Sequence, residues 1–369
     1  MTRKVLFAAS TFSHILNFHL PYLKCFRDRG WIVHVACGGK SVPVPYADRV
    51  IQLPFRKQMP APGNFRAAAT LRKVIRQERY RLISVHTSLA AFFTRLAVKG
   101  MKDRPPVANT VHGYLFDDDT PALKRNILLA AERLTAPQTD LLLTMNRWDY
   151  ELAQRYRLGK QVGQIPGVGV DFSRFGQKTS DDSREFRGDL GIPQDAFVLI
   201  YPAEFSKRKS QEVLIRALTK LPERVVLVLP GKGAFLDQCK ALAVQLKLER
   251  RIIFPGQVRD MAPWYAMADA AVSASRSEGL PFNIMEAMYC GLPVAASKVK
   301  GHTDLIIHGK TGWLYPYGDT AACADALRTL MESTPLRQAL GRAAQESVKQ
   351  YALDKVLPQV LGAYEGIIV

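Results

Sequence analysis

The stretch Glu278-Gly-Leu-Pro-Phe-Asn-Ile-Met-Glu286 sets two carboxylates eight residues apart, on either side of a glycine and a proline. An apolar run, Ala270–Ser273, leads into it, and Ala-Met-Tyr-Cys-Gly-Leu-Pro-Val follows it. Pro281 suits the first turn of a helix, and Gly291 suits its end. A helix so placed turns the backbone amides of Phe282, Asn283 and Ile284 toward the preceding loop, beside Gly279. Amides at a helix N-terminus can bind a diphosphate without a metal ion. Glu286 would lie about one turn inside that helix, within reach of a ribose hydroxyl. Glu278 would stand before it, where a sugar attached to the diphosphate would lie. Taken alone, two glutamates at this spacing describe a solvated loop and a helix surface. Gly279, the apolar run and the strand-like segment that follows favour a site.

Histidines supply the second set of candidates. His112-Gly113 closes the apolar run Val107–Val111. Ligands of parallel sheets gather at the carboxyl ends of strands, and a neutral imidazole there can hydrogen-bond a hydroxyl or a reacting group. His86 ends Leu82–His86 in the same manner, although a satisfied strand-end residue is its plainer reading. Ser10-Thr-Phe-Ser-His14 occupies the first strand-to-helix turn. Ser13 and His14 can contact a ligand from there, the alternative being that Ser13 caps the helix. Two other matches fail. Gly38-Gly-Lys-Ser41 ends like a phosphate-binding P-loop, but the first required glycine falls at His34. Asp117-Asp-Asp119 contains a D-x-D, yet anchoring the helical pattern Thr120–Arg133 accounts for it better than a metal ion does.

The elements that must carry these residues can be read from hydropathy. Short, continuous apolar runs occur at Val5–Ser10, Trp31–Ala36, Leu82–His86, Val107–Val111 and Leu141–Thr144. A second set occurs at Phe197–Tyr201, Val225–Leu229, Ile252–Phe254, Ala270–Ser273 and Pro293–Ser297. Helical patterns separate them, clearest at Ala67–Glu78, Ala90–Lys99, Gln211–Leu221 and Asp237–Leu246. Continuous apolar runs are strands covered on both faces, and their alternation with helices predicts an α/β protein with parallel sheets. The 369 residues suffice for two domains. The seam falls in the polar, turn-rich segment Pro166–Arg187, which includes Gly167, Gly169, Asp171, Ser173, Thr179, Ser180 and Ser183. The expected division is a Rossmann-like domain at 1–170, a second at 171–350, and a terminal helix at 351–369 that packs back toward the first. Two doubly wound sheets would then face each other across a ligand cleft.

With these features in place, the chain resembles the retaining glycosyltransferases of family 4, which have the GT-B fold and an E-x7-E motif. The resemblance runs through Ile165-Pro-Gly-Val-Gly-Val-Asp171 with Phe175, then Ala203-Glu-Phe-Ser-Lys-Arg-Lys-Ser-Gln211. Pro230-Gly-Lys-Gly233, Phe254-Pro-Gly256 and Lys300-Gly-His-Thr-Asp-Leu305 follow in the same order. It implies a nucleotide-sugar donor with Glu278, His112 and Lys209 at the reacting centre. Lys209 would grip the diphosphate and offset its developing charge, and His112 would lie over the donor sugar. Glu286, Arg208, Gly279, Phe282, Asn283, Ile284 and Gly231 would bind the donor, while Ser13, His14 and His86 would serve the acceptor or its loop. Many relatives carry an arginine where Glu204 stands, so Lys207 or Arg208 supplies the second charge or Glu204 has another role. The first loop also lacks the glycines that many relatives have. The resemblance implies no metal and no cofactor. It is strongest to enzymes that extend polyprenyl-diphosphate-linked saccharides for capsule, exopolysaccharide or glycan assembly, commonly from a UDP-N-acetylhexosamine.

Charge adds a partner. Formal net charge is +18, and residues 1–170 hold 26 Lys and Arg against 11 Asp and Glu. Arg72, Lys73, Arg76 and Arg79 recur at helical spacing, and Lys99, Lys102, Arg104, Lys124 and Arg125 extend the basic surface. For any single residue a solvated helix face is the better account. The sum over the half-chain points to an anionic partner, here a membrane surface carrying a lipid-linked acceptor. Nucleic acid is the rival, and no basic-aromatic recognition motif supports it. A nucleotide-sugar 2-epimerase of the same architecture is the other, and it would leave the basic half unexplained. No apolar run is long enough to span a bilayer. Five scattered cysteines fit reduced thiols in a cytosol, and Met1-Thr2-Arg3-Lys4 leads straight into a short apolar run unlike a signal peptide. The expected location is cytoplasmic, peripheral to the inner face of the plasma membrane.

Overall fold

A computed structural model describes residues 3–176 and 180–368. Met1, Thr2 and Thr179 lie outside the described residues, as does the side chain of Ser180. The chain forms two compact units, Met1–Gly169 with Asp354–Val369, and Val170–Leu353.

The first unit runs β1 (Lys4–Ala9), α1 (Phe12–Phe18), α2 (Leu20–Asp28), β2 (Ile32–Gly38), β3 (Arg49–Leu53), α3 (Pro62–Glu78) and β4 (Leu82–His86). It continues through α4 (Ser88–Val98), β5 (Val107–Val111), α5 (Ala122–Thr135), β6 (Leu141–Thr144), α6 (Arg147–Arg155) and β7 (Gln161–Gln164). Its sheet is parallel throughout, in the order β3-β2-β1-β4-β5-β6-β7. The order reverses between β1 and β4, and the carboxyl ends of strands at such a reversal form a crevice. Val5–Ala9, Leu82–His86 and Val107–Val111 are buried along their whole length, because helices cover both faces.

The second unit runs α7 (Ser180–Asp189), β8 (Phe197–Ile200), α8 (Gln211–Leu218), β9 (Val225–Val228), α9 (Leu236–Gln245), β10 (Ile252–Ile253), α10 (Ala262–Ala266) and β11 (Ala270–Ser273). It then passes through α11 (Phe282–Tyr289), β12 (Val294–Ser297), α12 (His302–Leu305), β13 (Trp313–Tyr315), α13 (Thr320–Glu332) and α14 (Thr334–Val348). Its six strands are also parallel, in the order β10-β9-β8-β11-β12-β13.

A last helix, α15 (Leu353–Glu365), belongs from Asp354 onward to the first unit. There the Tyr364 hydroxyl lies 2.9 Å from Ser84 Oγ in β4, and Glu365 accepts from Arg29. The five cysteines are free thiols. Among the described residues no helix is long and apolar enough to cross a membrane.

The hydropathy reading passes over three strands, β3, β7 and β13. All three lie at sheet edges. Their burial is broken or partial, so they lack the continuous apolar signature of central strands.

Candidate functional site

In the second unit, the loop after β11 carries Glu278 and the loop after β8 carries Arg208 and Lys209. Lys209 Nζ lies 2.6 Å from Glu278 Oε1, and Arg208 Nη1 lies 2.7 Å from Oε2. Both carboxylate oxygens therefore face a cation. Burial works to raise the Glu278 carboxyl, but the charges of Lys209 and Arg208 prevail and hold it at about 2. The carboxylate is ionised at any working pH. Burial lowers Lys209 against the opposing pull of Glu278.

The scaffold beneath this pair is built from backbone and hydroxyl contacts. The Tyr201 hydroxyl lies 2.7 Å from Ser275 Oγ and 3.1 Å from the Lys209 carbonyl, and Arg276 N donates to the Arg208 carbonyl. These bonds tie the two loops together. His302, fully buried, is held 2.7 Å from the Ser297 carbonyl and 3.1 Å from Ser273 Oγ. Gly301 adopts φ +82°, and a Cβ there would come within 2.8 Å of Glu278 Cβ. Glycine at 301 is what lets the loop after β12 close over Glu278.

Gly231 plays the same part between neighbouring loops. Ala203 N donates to the Pro230 carbonyl, Phe205 N to Lys232, and Gly231 N to Gly256 at 2.7 Å. A Cβ on Gly231, at φ +153°, would stand 1.9 Å from the Ala203 carbonyl oxygen. Backbone cannot yield there as a side-chain tip can. Gly231→Ala is expected to destabilise the unit by about 2 kcal/mol or more. Thermal melting should show this as a midpoint lowered by about 4–8 °C.

Helix α11 begins one residue later than the sequence suggests: Pro281 is its N-cap rather than its first turn, and no side chain caps it. It ends as expected. Gly291, at φ +76°, donates to Met288, and Leu292 donates to Ala287, which closes the last turn through a left-handed glycine. Asn283 Nδ2 donates to the Pro202 carbonyl and fixes the first turn against the β8 loop. Glu286 faces Tyr265 and Arg174, at 3.0 and 3.4 Å. Burial pushes its carboxyl up to about 7, with the Tyr265 hydrogen bond and the Arg174 charge opposing only in part. The two glutamates of one motif are thus tuned in opposite directions.

The first unit gathers histidines. His14 from α1, His19 between α1 and α2, His86 at the end of β4 and His112 after β5 place one ring nitrogen each within 4.8 Å of one another. His112 Nε2 lies 3.3 Å from both His14 Nε2 and His86 Nδ1. His86 Nε2 lies 2.9 Å from Ser84 Oγ, itself bonded to Tyr364. Burial keeps these rings neutral: it lowers His14 to about 4, and it holds His19, His86 and His112 well below the usual imidazole range, with added mutual repulsion.

Several sequence expectations change. Ser13 does not cap α1; Thr11 holds that position, and Ser13 is exposed with its hydroxyl 3.1 Å from Thr11. The acidic run does not cap α5, whose N-cap is Pro121. Asp117 accepts from the Thr120 hydroxyl and Asp118 from the Trp148 indole. Glu204 is exposed, and its carbonyl accepts from Gln211. Lys207 lies 5.9 Å from the Phe235 ring, so Arg208 is the second cation on Glu278. Tyr265, Arg174, His302 and His19 escaped the sequence reading. Tyr265 and Arg174 carry no periodic signal. His302 stood in a motif without a role. His19 follows a helix break, so its spacing from His14 matched no helical face.

Family models match both units: residues 20–165 fit the "Glycosyl transferase 4-like domain", and residues 182–347 fit "Glycosyl transferases group 1". The chain is 31% identical to EpsD of Bacillus subtilis (strain 168), a protein named as a glycosyltransferase, over 99% of this chain and 97% of that one. It is 25% identical to the N-acetyl-alpha-D-glucosaminyl L-malate synthase of Bacillus anthracis, over 94% and 92%. Among solved structures, Anabaena Alr3699/HepE in complex with UDP and glucose superposes with a TM-score of 0.82 at 21% identity, covering 99% of this chain and 100% of that one. WaaG, a glycosyltransferase involved in lipopolysaccharide biosynthesis, superposes at 0.78 with 18% identity, covering 98% and 100%. Two Rossmann-like parallel sheets and a full-length relative lead to one conclusion: the chain belongs to the family 4 glycosyltransferases of GT-B fold.

Proposed function

We propose that the protein is a retaining transferase that moves an N-acetylhexosamine from a UDP-sugar to a polyprenyl-diphosphate-linked saccharide at a membrane surface. The observation that carries the reading is the buried carboxylate of Glu278 pinned by Lys209 and Arg208 beside the N-terminal turn of α11. A diphosphate would compete with Glu278 for those two cations, and the α11 amides would take its remaining oxygens. Glu278, released in part, would accept from hydroxyls of the donor sugar, and Glu286 would accept from the ribose. The bond between the anomeric carbon and the diphosphate oxygen would break as the acceptor hydroxyl entered on the same face. The leaving diphosphate would take the acceptor's proton. Lys209 would stabilise the charge that develops on it. UDP in the complexes of Alr3699/HepE, and the N-acetylglucosaminyl name of the Bacillus anthracis relative, support the choice of donor.

The membrane half of the proposal draws on α5. Leu123, Ile127 and Leu134 are 76, 60 and 50% exposed. At about 100° per residue they fall within about 40° of arc on one helix face. Lys124, Arg125 and Arg133 accompany them on the same helix. Vesicles of anionic phospholipid should bind the protein, and added salt should weaken the binding. Changing Leu123 and Ile127 together to serine should reduce partitioning by at least about 10-fold. Sedimentation with vesicles measures both effects.

Incubation with a panel of nucleotide sugars, with and without a polyprenyl-diphosphate-sugar, tests the whole reading. Nucleoside-diphosphate release that depends on the acceptor supports transfer and names the donor. Turnover indifferent to acceptor would instead identify an epimerase.

A further inference from the structure

We propose that His14, His19, His86 and His112 form a tetrahedral site for a divalent transition metal ion of the zinc type. The four residues come from three stretches of the chain and converge at the carboxyl ends of the neighbouring strands β1, β4 and β5. Their spacing fits a metal better than it fits hydrogen bonds. Zinc binds imidazole nitrogen at about 2.0–2.1 Å, which sets the edge of a tetrahedron at about 3.3–3.4 Å. His112 Nε2 stands 3.3 Å from His14 Nε2 and 3.3 Å from His86 Nδ1. Both contacts are long for hydrogen bonds. Moreover, one ring nitrogen carries either a proton or a lone pair, so His112 Nε2 cannot serve both neighbours well. The remaining separations all lie within 4.8 Å, and His19 and His86, whose ring centroids stand 3.7 Å apart, would have to part for both to bind one ion.

The surroundings are those of a ligand set. His86 turns its other nitrogen to Ser84 Oγ at 2.9 Å, and Tyr364 backs that hydroxyl at 2.9 Å. Such outer contacts orient metal-bound imidazoles and fix their tautomer. His19 is 1% exposed, and its Nε2 has no hydrogen-bond partner. A buried nitrogen left without a partner costs stability, and a metal ion bound to it would supply one. Four imidazoles without a carboxylate do not suit magnesium or calcium, which take oxygen ligands. They suit zinc and its neighbours. A bound ion would engage His112, which the family resemblance sets over the donor sugar, so occupancy would lower transfer.

The test uses untagged full-length protein stripped with a chelator, without donor or acceptor, so its outcome is independent of the transferase reading. Titration with zinc chloride by calorimetry, with elemental analysis, should show one ion per chain. Cobalt(II) should give the intense visible bands of tetrahedral coordination. His19→Gln and His86→Gln should each weaken zinc binding by at least about 10-fold. His308→Gln, at an exposed position in the other unit, should change nothing. Should a cluster variant fail to fold, the cobalt spectrum of the unaltered protein decides. The absence of a stoichiometric site, a pale octahedral cobalt spectrum, or binding that survives in folded cluster variants would overturn the proposal.

Discussion

Replacing Glu278 with glutamine is expected to lower kcat for sugar transfer by about 10^3-fold while leaving donor affinity unchanged or tighter. The split follows from the resting arrangement. Lys209 and Arg208 are both engaged by Glu278 at 2.6 and 2.7 Å. A donor diphosphate must draw them away from a carboxylate, and glutamine holds them far more weakly. Ground-state binding therefore does not suffer. The negative charge that would face the donor sugar as positive character develops at its anomeric carbon is gone, and the barrier rises. A purely structural role predicts another pattern. Removing one partner of a buried ion pair costs about 3–5 kcal/mol, because the other charge is left uncompensated. Activity would then fall only with the folded fraction, and donor binding would fall with it. Steady-state kinetics and calorimetric donor binding, with melting curves of both proteins, separate the two. A kcat within about 10-fold of the original would remove Glu278 from the reacting centre.

The legibility of this chain in its sequence follows burial. Central strands are buried on both faces and appear as unbroken apolar runs; Val5–Ala9 and Val107–Val111 are such cases. Edge strands such as β7 are half wet and read as loops. The turn at Gly291 was readable because a left-handed backbone position restricts the residue. Pairings across long sequence distances were not. Nothing local joins Tyr265 to Glu286 or Lys209 to Glu278, and only the parallel sheet order brings their loops together. The histidines show the same limit. His14, His86 and His112 each stood out by position at a strand end. That they meet, and that His19 joins them, depends on β1, β4 and β5 being neighbours.

Donor affinity is expected to fall about 50-fold as pH drops from about 7 to about 5, and to be flat above about 8. The cause is Glu286, whose carboxyl burial pushes up to about 7. A carboxylate accepts hydrogen bonds from two ribose hydroxyls with full charge, whereas in the neutral acid one oxygen becomes a donor and the other accepts without charge assistance. Binding then requires ionisation, and each pH unit below the folded value costs about tenfold in affinity. The same shift acts on folding, with a definite sign. The unfolded chain ionises at about 4.5 and the folded donor-free protein at about 7. The proton held by Glu286 therefore adds stability in full below about 4.5, and that stability is lost as pH rises through 7. Tyr265→Phe should move the midpoint of donor binding upward, because the hydroxyl's hydrogen bond favours the carboxylate. Glu286→Gln should flatten the profile and weaken binding above pH 7. The diphosphate of a nucleotide sugar is fully ionised across this range, so it adds no titration of its own. Calorimetry in buffers of different ionisation heat should detect about one proton released per donor bound at pH near 6, and none near 8.5. Proton release that persists in Glu286→Gln would move the titration to another group and take the ribose away from Glu286.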